Sequence, residues 1–146
     1  MALTSPRRLA LVTGVIAVAA ALVYLRDPAW LIQTSHGFHA WETDEAGTKF
    51  RWTTGHASFF VPADAALIEF PMAASVDAFR YPSVMATITI DDRPAERVEL
   101  TDGSWRAIRL RLPPRGRRRV RRIDVRVNRT QPGDRGVRLG EIRVRS

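Results

Sequence analysis

From residue 38 onward the chain is a succession of short runs in which apolar and polar residues alternate, and no helical period lasts beyond two turns. Successive side chains on a strand point to opposite faces. In "AIRLRL" that rule turns Ile108, Leu110 and Leu112 one way and Arg109 and Arg111 the other; in "IDVRV" it separates Ile123, Val125 and Val127 from Asp124 and Arg126. Nine runs read as strands: "GFHAWE", "KFRWTT", "HASFFVP", "ALIEF", "VMATITI", "RVEL", "WRAIRLRL", "RRVRRIDVRV" and "VRLGEIRVR". Asp91-Asp92-Arg93-Pro94 and Thr101-Asp102-Gly103-Ser104 supply the chemistry of tight reversals, which makes residues 84 to 112 a three-strand meander. Strands at this spacing predict an all-β, antiparallel β-sandwich.

The stretch "KFRWTTGHASFFVP" decides whether the aromatic residues serve a core or a ligand. Phe50 and Trp52 share a face, Arg51 and Thr53 the other; beyond Gly55, Phe60 opposes Phe59 and Val61. Apolar surface on both sides predicts burial, so Trp52 is read as packing against the opposite sheet.

Ahead of the strands, residues 9 to 25, "LALVTGVIAVAAALVYL", carry no charge. At ~1.5 Å per residue this helix reaches about 25 Å against a hydrocarbon core of ~30 Å, and Tyr24, Trp30, Leu31 and Ile32 extend it through the interface. Arg7 and Arg8 precede it, which by the positive-inside rule leaves residues 1–8 in the cytoplasm and places everything beyond Arg26 outside. The rival reading is a cleaved secretory signal ending in Ala19, Ala20 and Ala21; the apolar run continuing through Leu22 to Leu25 favours a retained anchor. The sequence therefore divides into a cytoplasmic N-terminus (1–8), a transmembrane signal-anchor (9–25), a tether (26–36) and an extracytoplasmic sandwich (37–146). Localisation follows as single-pass in the inner, cytoplasmic membrane with the C-terminal domain periplasmic. Export permits disulfides, but the chain has no cysteine, so the core alone must hold the domain.

Charge is placed unevenly. Residues 1–105 hold 8 basic and 12 acidic side chains, net −4, whereas residues 106–146 hold 15 arginines against Asp124, Asp134 and Glu141, net +12. An asymmetry of this size needs a partner or a counter-surface. Arginine runs supply the phosphate-neutralising part of nucleic-acid binding, but export and the lack of interleaved exposed aromatics argue against nucleic acid as a partner. Acidic lipid headgroups or an anionic envelope polysaccharide fit better, with Arg117, Arg118, Arg119, Arg122 and Arg126 as the contacting residues.

No Gly-rich phosphate loop, Gly-x-Ser-x-Gly turn or His-Glu-x-x-His helix is present, so no catalytic residues are assigned and the chain is read as a non-enzyme. His36 and His39 with Glu42 or His56 lack the spacing of structural zinc, and neither metal nor cofactor is expected. Glu42, Asp44 and Glu45 are too local to face each other across a glycosidase cleft.

The segments "GFHAWETDEAGTKFRWTTGHASFFVP" and "QPGDRGVRLGEIRV" carry a resemblance. Gly37 with Phe38, then Glu42, then Phe50-Arg51-Trp52, and finally Asp134, Arg135, Leu139 and Gly140 with Gly136, Val137 and Arg138 inserted, resemble small bacterial envelope domains of galactose-binding-like, jelly-roll type. Such domains occur fused to or beside membrane-embedded glycosyltransferases and other envelope-polysaccharide proteins. The resemblance implies a non-catalytic sandwich. On the residues themselves, Arg51 suits a bidentate pair with Glu42, and Trp41, Glu42, Arg51, Trp52 and Arg135 form the candidate ligand-binding set, polar groups beside aromatic faces suited to a sugar. The expected function is a membrane-anchored module that binds envelope carbohydrate or supports a membrane glycosyltransferase-like protein; the alternative is a purely structural accessory subunit of a membrane complex.

Overall fold

The computed structural model describes residues 6–76, 82–114, 116 and 118–146. Helix α1 spans Pro6–Arg26 and is followed by a 3-10 turn at Ala29–Gln33. The strands are β1 (Ser35–Thr43), β2 (Lys49–Pro62), β3 (Leu67–Ala74), β4 (Val84–Ile90), β5 (Arg93–Leu100), β6 (Arg106–Arg111), β7 (Val120–Val127), β8 (Val137–Gly140) and β9 (Arg143–Arg145).

All strand pairs are antiparallel, in the order β5-β4-β7-β2-β8-β3-β6, with β1 beside β2 and β9 beside β3. The long strand β2 makes the fold. Its later half, His56–Pro62, pairs with β7, and its start, Phe50–Trp52, pairs with β8. One sheet thus curls over on itself into two layers. Between them lie Phe59, Ile88, Val98, Ile123 and Val125 from one side and Ile68, Phe70, Met72, Leu110 and Leu139 from the other, all buried. Phe59 meets Phe70 edge-on across the gap, with ring centroids 6.0 Å apart. Each such side chain removed from water contributes about 1.5–3 kcal/mol, which is how a cysteine-free domain holds together.

β2 runs unbroken from Lys49 to Pro62, so "KFRWTT" and "HASFFVP" are one strand and Gly55 does not break it. Odd-numbered Thr53, Ala57, Phe59 and Val61 face the core, and even-numbered Phe50 and Trp52 face away from it, opposite Gly140 and Arg138 of β8. "VRLGEIRVR" is two strands, because the ladder along β3 lapses where Pro71 closes on Gly140; a Cβ at Gly140 would fall 2.4 Å from Pro71 Cγ. The meander of residues 84–112 does not form. Asp91 and Asp92, with φ of 49° and 66°, make the two-residue hairpin between β4 and β5, as the mirror-image turn requires. The chain then crosses to the other layer, where Ile108 and Leu110 of β6 lie opposite Phe70 and Ile68 of β3. That pairing joins apolar faces, whereas β5 buries only Val98 and Leu100.

Among its described side chains, helix α1 packs no apolar face on the sandwich: Leu11, Val15, Ile16, Leu22, Val23 and Tyr24 are each more than half exposed. By length and composition it is long and apolar enough to cross a membrane, a test that a signal sequence also passes. The segment after it is docked rather than free, since Asp27 and Pro28 are buried against the domain.

Candidate functional site

The sheet divides the five predicted ligand residues between its two faces. On the outward face, Arg138 lies over Phe50, Trp52 and Trp105, with its guanidinium carbon 5.6, 5.9 and 5.0 Å from the ring centroids, and Arg135 approaches Trp52 at 5.7 Å. Phe50 meets Trp52 edge-on at 6.1 Å. Trp52 is thereby only 8% exposed, buried in an aromatic cluster outside the main core and not against the opposite sheet, and its indole nitrogen has no hydrogen-bond partner. Glu42 sits opposite Phe50 and pairs with Arg135 at 3.7 Å.

On the other face, the Arg51 guanidinium lies 3.8 Å from the Phe38 ring and 5.0 Å from that of Trp41, and Nη1 donates to Ser35 Oγ at 3.0 Å. The expected Glu42–Arg51 pair is absent because Trp41, not Glu42, opposes Arg51 across the β1–β2 register. Burial lowers the Arg51 pKa without discharging a guanidinium.

Trp41, on the free edge of β1, remains 52% exposed, backed by Arg51. It borders a depression of about 360 Å³ that also touches Glu42, Thr43, Lys49 and Glu141. Lys49 and Glu141 are shared with a larger groove of about 620 Å³ that runs along β3, β6 and β9 past Glu69, Pro71, Ala107, Arg109 and Arg143. Glu69 is held between Arg109 Nε at 2.5 Å and Arg145 Nη2 at 3.0 Å. At the rim, the Asp44 carboxylate accepts from the Thr48 N–H at 2.7 Å and from Trp105 Nε1 at 3.1 Å. The Thr48 N–H above all, against the opposing effect of burial and with the Trp105 indole adding to it, holds Asp44 below the usual carboxylate value. An exposed aromatic plane that continues into a groove of fixed charges and hydrogen-bonding groups suits a ligand that offers a flat apolar face and many hydroxyls. The sequence reading missed Glu69, Arg109, Arg143 and Arg145; their signal was charge alternation on strands whose adjacency the sequence did not reveal.

The basic residues are used unequally. Arg118 Nε lies 3.3 Å from Asp27, and Arg122 binds Asp124 through Nε at 2.9 Å and pairs with Asp92 through Nη2. Arg119 and Arg126 are exposed, and Arg117 lies outside the described residues. Arg121, not among the predicted contact residues, is buried; it donates to the carbonyls of Pro113 and Pro114 at 2.8 and 2.6 Å and pairs with Asp91 at 3.0 Å.

Beside them the buried Asp124 receives Ser58 Oγ at 2.7 Å and His56 Nε2 at 3.0 Å, both on Oδ1. Ser, His and Asp are all present, but a nucleophilic triad needs the imidazole between acid and hydroxyl. Here the carboxylate stands in the middle, so His56 does not activate Ser58. Among the described residues no group of three or more His, Asp or Glu is placed to hold a metal ion; His39 Nε2 lies 3.2 Å from the Asp134 carbonyl oxygen instead.

No protein-family model matches the sequence, and no curated protein matches it either. Solved structures do resemble the fold. A family 35 carbohydrate binding module from Clostridium thermocellum superposes with a TM-score of 0.50 at 13% identity, covering 76% of this chain and 89% of that one. A family 35 carbohydrate binding module from an environmental isolate gives 0.49 at 14% identity over 75% and 87% of the two chains. A family two carbohydrate esterase from Cellvibrio japonicus gives 0.49 at 15% identity over 77% of this chain and 31% of that one. The likeness to the Clostridium thermocellum module establishes the fold of residues following the helix: a β-sandwich of the kind carbohydrate-binding modules adopt.

Proposed function

We propose that this chain is a membrane-anchored, extracytoplasmic, non-catalytic module of galactose-binding-like, jelly-roll type that binds envelope carbohydrate. The observation that carries the reading is the exposed Trp41 face continuous, through Lys49 and Glu141, with the charged groove along β3 and β6. An aromatic plane beside a few fixed polar groups recognises a sugar by stacking and by hydrogen bonding at once. The fold is that of modules named for carbohydrate binding. Helix α1, single-pass in the inner membrane, would hold the groove on the periplasmic side, within reach of a membrane glycosyltransferase-like protein and its product.

The test is a glycan array probed with the full-length chain in detergent micelles. Binding to envelope-type glycans is expected, with Trp41→Ala weakening it by about tenfold or more while the melting temperature stays put, because a half-exposed edge residue contributes little to the core. Failure to bind any glycan, together with stable recovery of a membrane protein, would replace this reading with that of an accessory subunit.

A further inference from the structure

A domain on a free tether has no need of a buried acid at its root, since an ionised carboxylate withdrawn from water is retained only where something compensates it. Asp27, one residue past α1, is 7% exposed, with Arg118 Nε 3.3 Å from one carboxylate oxygen and the Arg119 N–H donating to the other at 3.3 Å. Leu31 continues the contact, lining a small cavity with Phe60, Val120 and Arg122. The segment that grips Asp27 is itself tied down: Arg121 holds the Pro113 and Pro114 carbonyls, and the Ala63 N–H donates to the Arg119 carbonyl at 2.9 Å. The joint between helix and sandwich is therefore fastened at both sides.

What this joint leaves outside has a definite chemistry. Trp30 is 56% and Ile32 44% exposed, three and five residues on from the Asp27 that Arg118 and Arg119 hold, and both arginines are themselves exposed. Trp30 is four residues from the end of α1, hence no more than ~14 Å from it. Exposed Trp and Ile next to arginines are the composition of a surface lying at lipid headgroups, where the indole seats at the interface and the cations meet anionic lipid.

We infer that Asp27 fixes the orientation of the sandwich on its anchor, so that Trp30, Ile32, Arg118 and Arg119 form a docking rim for the anionic bilayer that α1 spans. The inference rests on the anchored reading above. It adds that the domain stands on the membrane at one end and turns the opposite end of β7 away, about 23 Å off at ~3.3 Å per residue.

The chain has no cysteine, so single labels are clean. Gly116→Cys places a fluorophore at the rim, where a Cβ meets nothing within 4 Å, and Pro132→Cys places one beyond the far end of β7. Full-length protein is reconstituted into nanodiscs of phosphatidylcholine with or without one part in about four of phosphatidylglycerol, doped with lipid carrying a headgroup nitroxide quencher. The label at 116 is expected to be quenched several-fold more than that at 132, more strongly with phosphatidylglycerol, and the lipid difference is expected to vanish near 1 M salt, where the screening length falls to about 3 Å. Asp27→Asn should bring the two labels together by freeing the domain, and Arg119→Gln, which keeps the backbone N–H that meets Asp27, should weaken the lipid dependence with the melting temperature retained. Equal quenching at the two sites in discs that hold the chain overturns this inference alone. A chain that does not enter the discs overturns the anchored reading and the docking rim with it. Quenching at 116 that ignores lipid charge and Asp27→Asn would make the rim a surface for something other than anionic lipid.

Discussion

At Asp124 four donor side chains converge on one nearly buried carboxylate: Ser58, His56, Arg122 and, at 3.5 Å, Thr89. Burial by itself would push this carboxyl up; the hydrogen bonds from Ser58 and His56 and the charge and hydrogen bond of Arg122 outweigh it and hold the group below its usual value. A carboxyl whose folded pKa is depressed stabilises the fold fully above its unfolded value, ~3.9, and that contribution is lost as pH falls through the folded pKa. Asp124→Asn is thus expected to cost about 1.5–3 kcal/mol at neutral pH, the scale of hydrogen bonds to a charged group, and to flatten the loss of stability below about pH 4. Thermal melts from neutral to strongly acid pH check both; an acid limb as steep in the variant as in the parent would assign it to other carboxylates. At this scale the sequence reveals which face a residue takes but not which partner it meets. Alternation put Phe50 with Trp52 and Arg51 with Thr53, as found. It says nothing of the partners of Arg121, Asp27 and Glu69, because they arrive from strands and turns distant in the chain.

Among the elements, β1 does most to place the candidate site, and it follows β2 only by bending. Its register against β2 shifts between His36 and Phe38 and again between Phe38 and Trp41, the mark of bulges that turn an edge strand from one layer to the next. Gly37 lies at the first shift with φ of +73°, and a Cβ there would stand 2.0 Å from the His56 carbonyl oxygen. Gly37→Ala is therefore expected to cost about 2–4 kcal/mol, for it meets both a left-handed backbone and a backbone clash. Because Trp41 lies four residues on, the same variant should also weaken glycan binding. Urea denaturation with the binding assay tests this, and an unchanged midpoint would mean that β1 relaxes without the bulge. Strand existence was legible in the sequence, through alternation and turn chemistry at Asp91 and Asp92. Pairing was not. Nothing local in "WRAIRLRL" distinguishes β5 from β3 as its neighbour; that choice belongs to the apolar faces of Phe70 and Ile68 across the fold.

Over the whole molecule, the charge asymmetry of the sequence finds much of its counter-surface within the chain. Acids from the first 105 residues meet arginines from the last 41: Asp27 with Arg118, Glu42 with Arg135, Glu69 with Arg109 and Arg145, Asp91 with Arg121, and Asp92 with Arg122. The pairs exposed on both sides, Glu42 with Arg135 and Asp92 with Arg122, contribute only about 0–1 kcal/mol each, so they fix register and orientation more than stability. Among the described residues, Arg119 at the anchored end and Arg126 on the outer face are exposed and take part in none of these pairs. The orientation of the whole then depends on which side of the membrane holds Arg7 and Arg8. On the anchored reading proposed above, basic residues just before an apolar span remain in the cytoplasm, and Asp27 and everything after it would lie outside. A C-terminal alkaline phosphatase fusion, active only after export, is expected to be active, and the full-length chain is expected in the membrane pellet after an alkaline wash. An inactive fusion would put the groove in the cytoplasm, away from envelope carbohydrate. A soluble exported product starting near Leu22 would keep the sandwich outside but remove the helix on which the Asp27 joint depends, leaving Trp30 and Ile32 exposed with no bilayer to cover them.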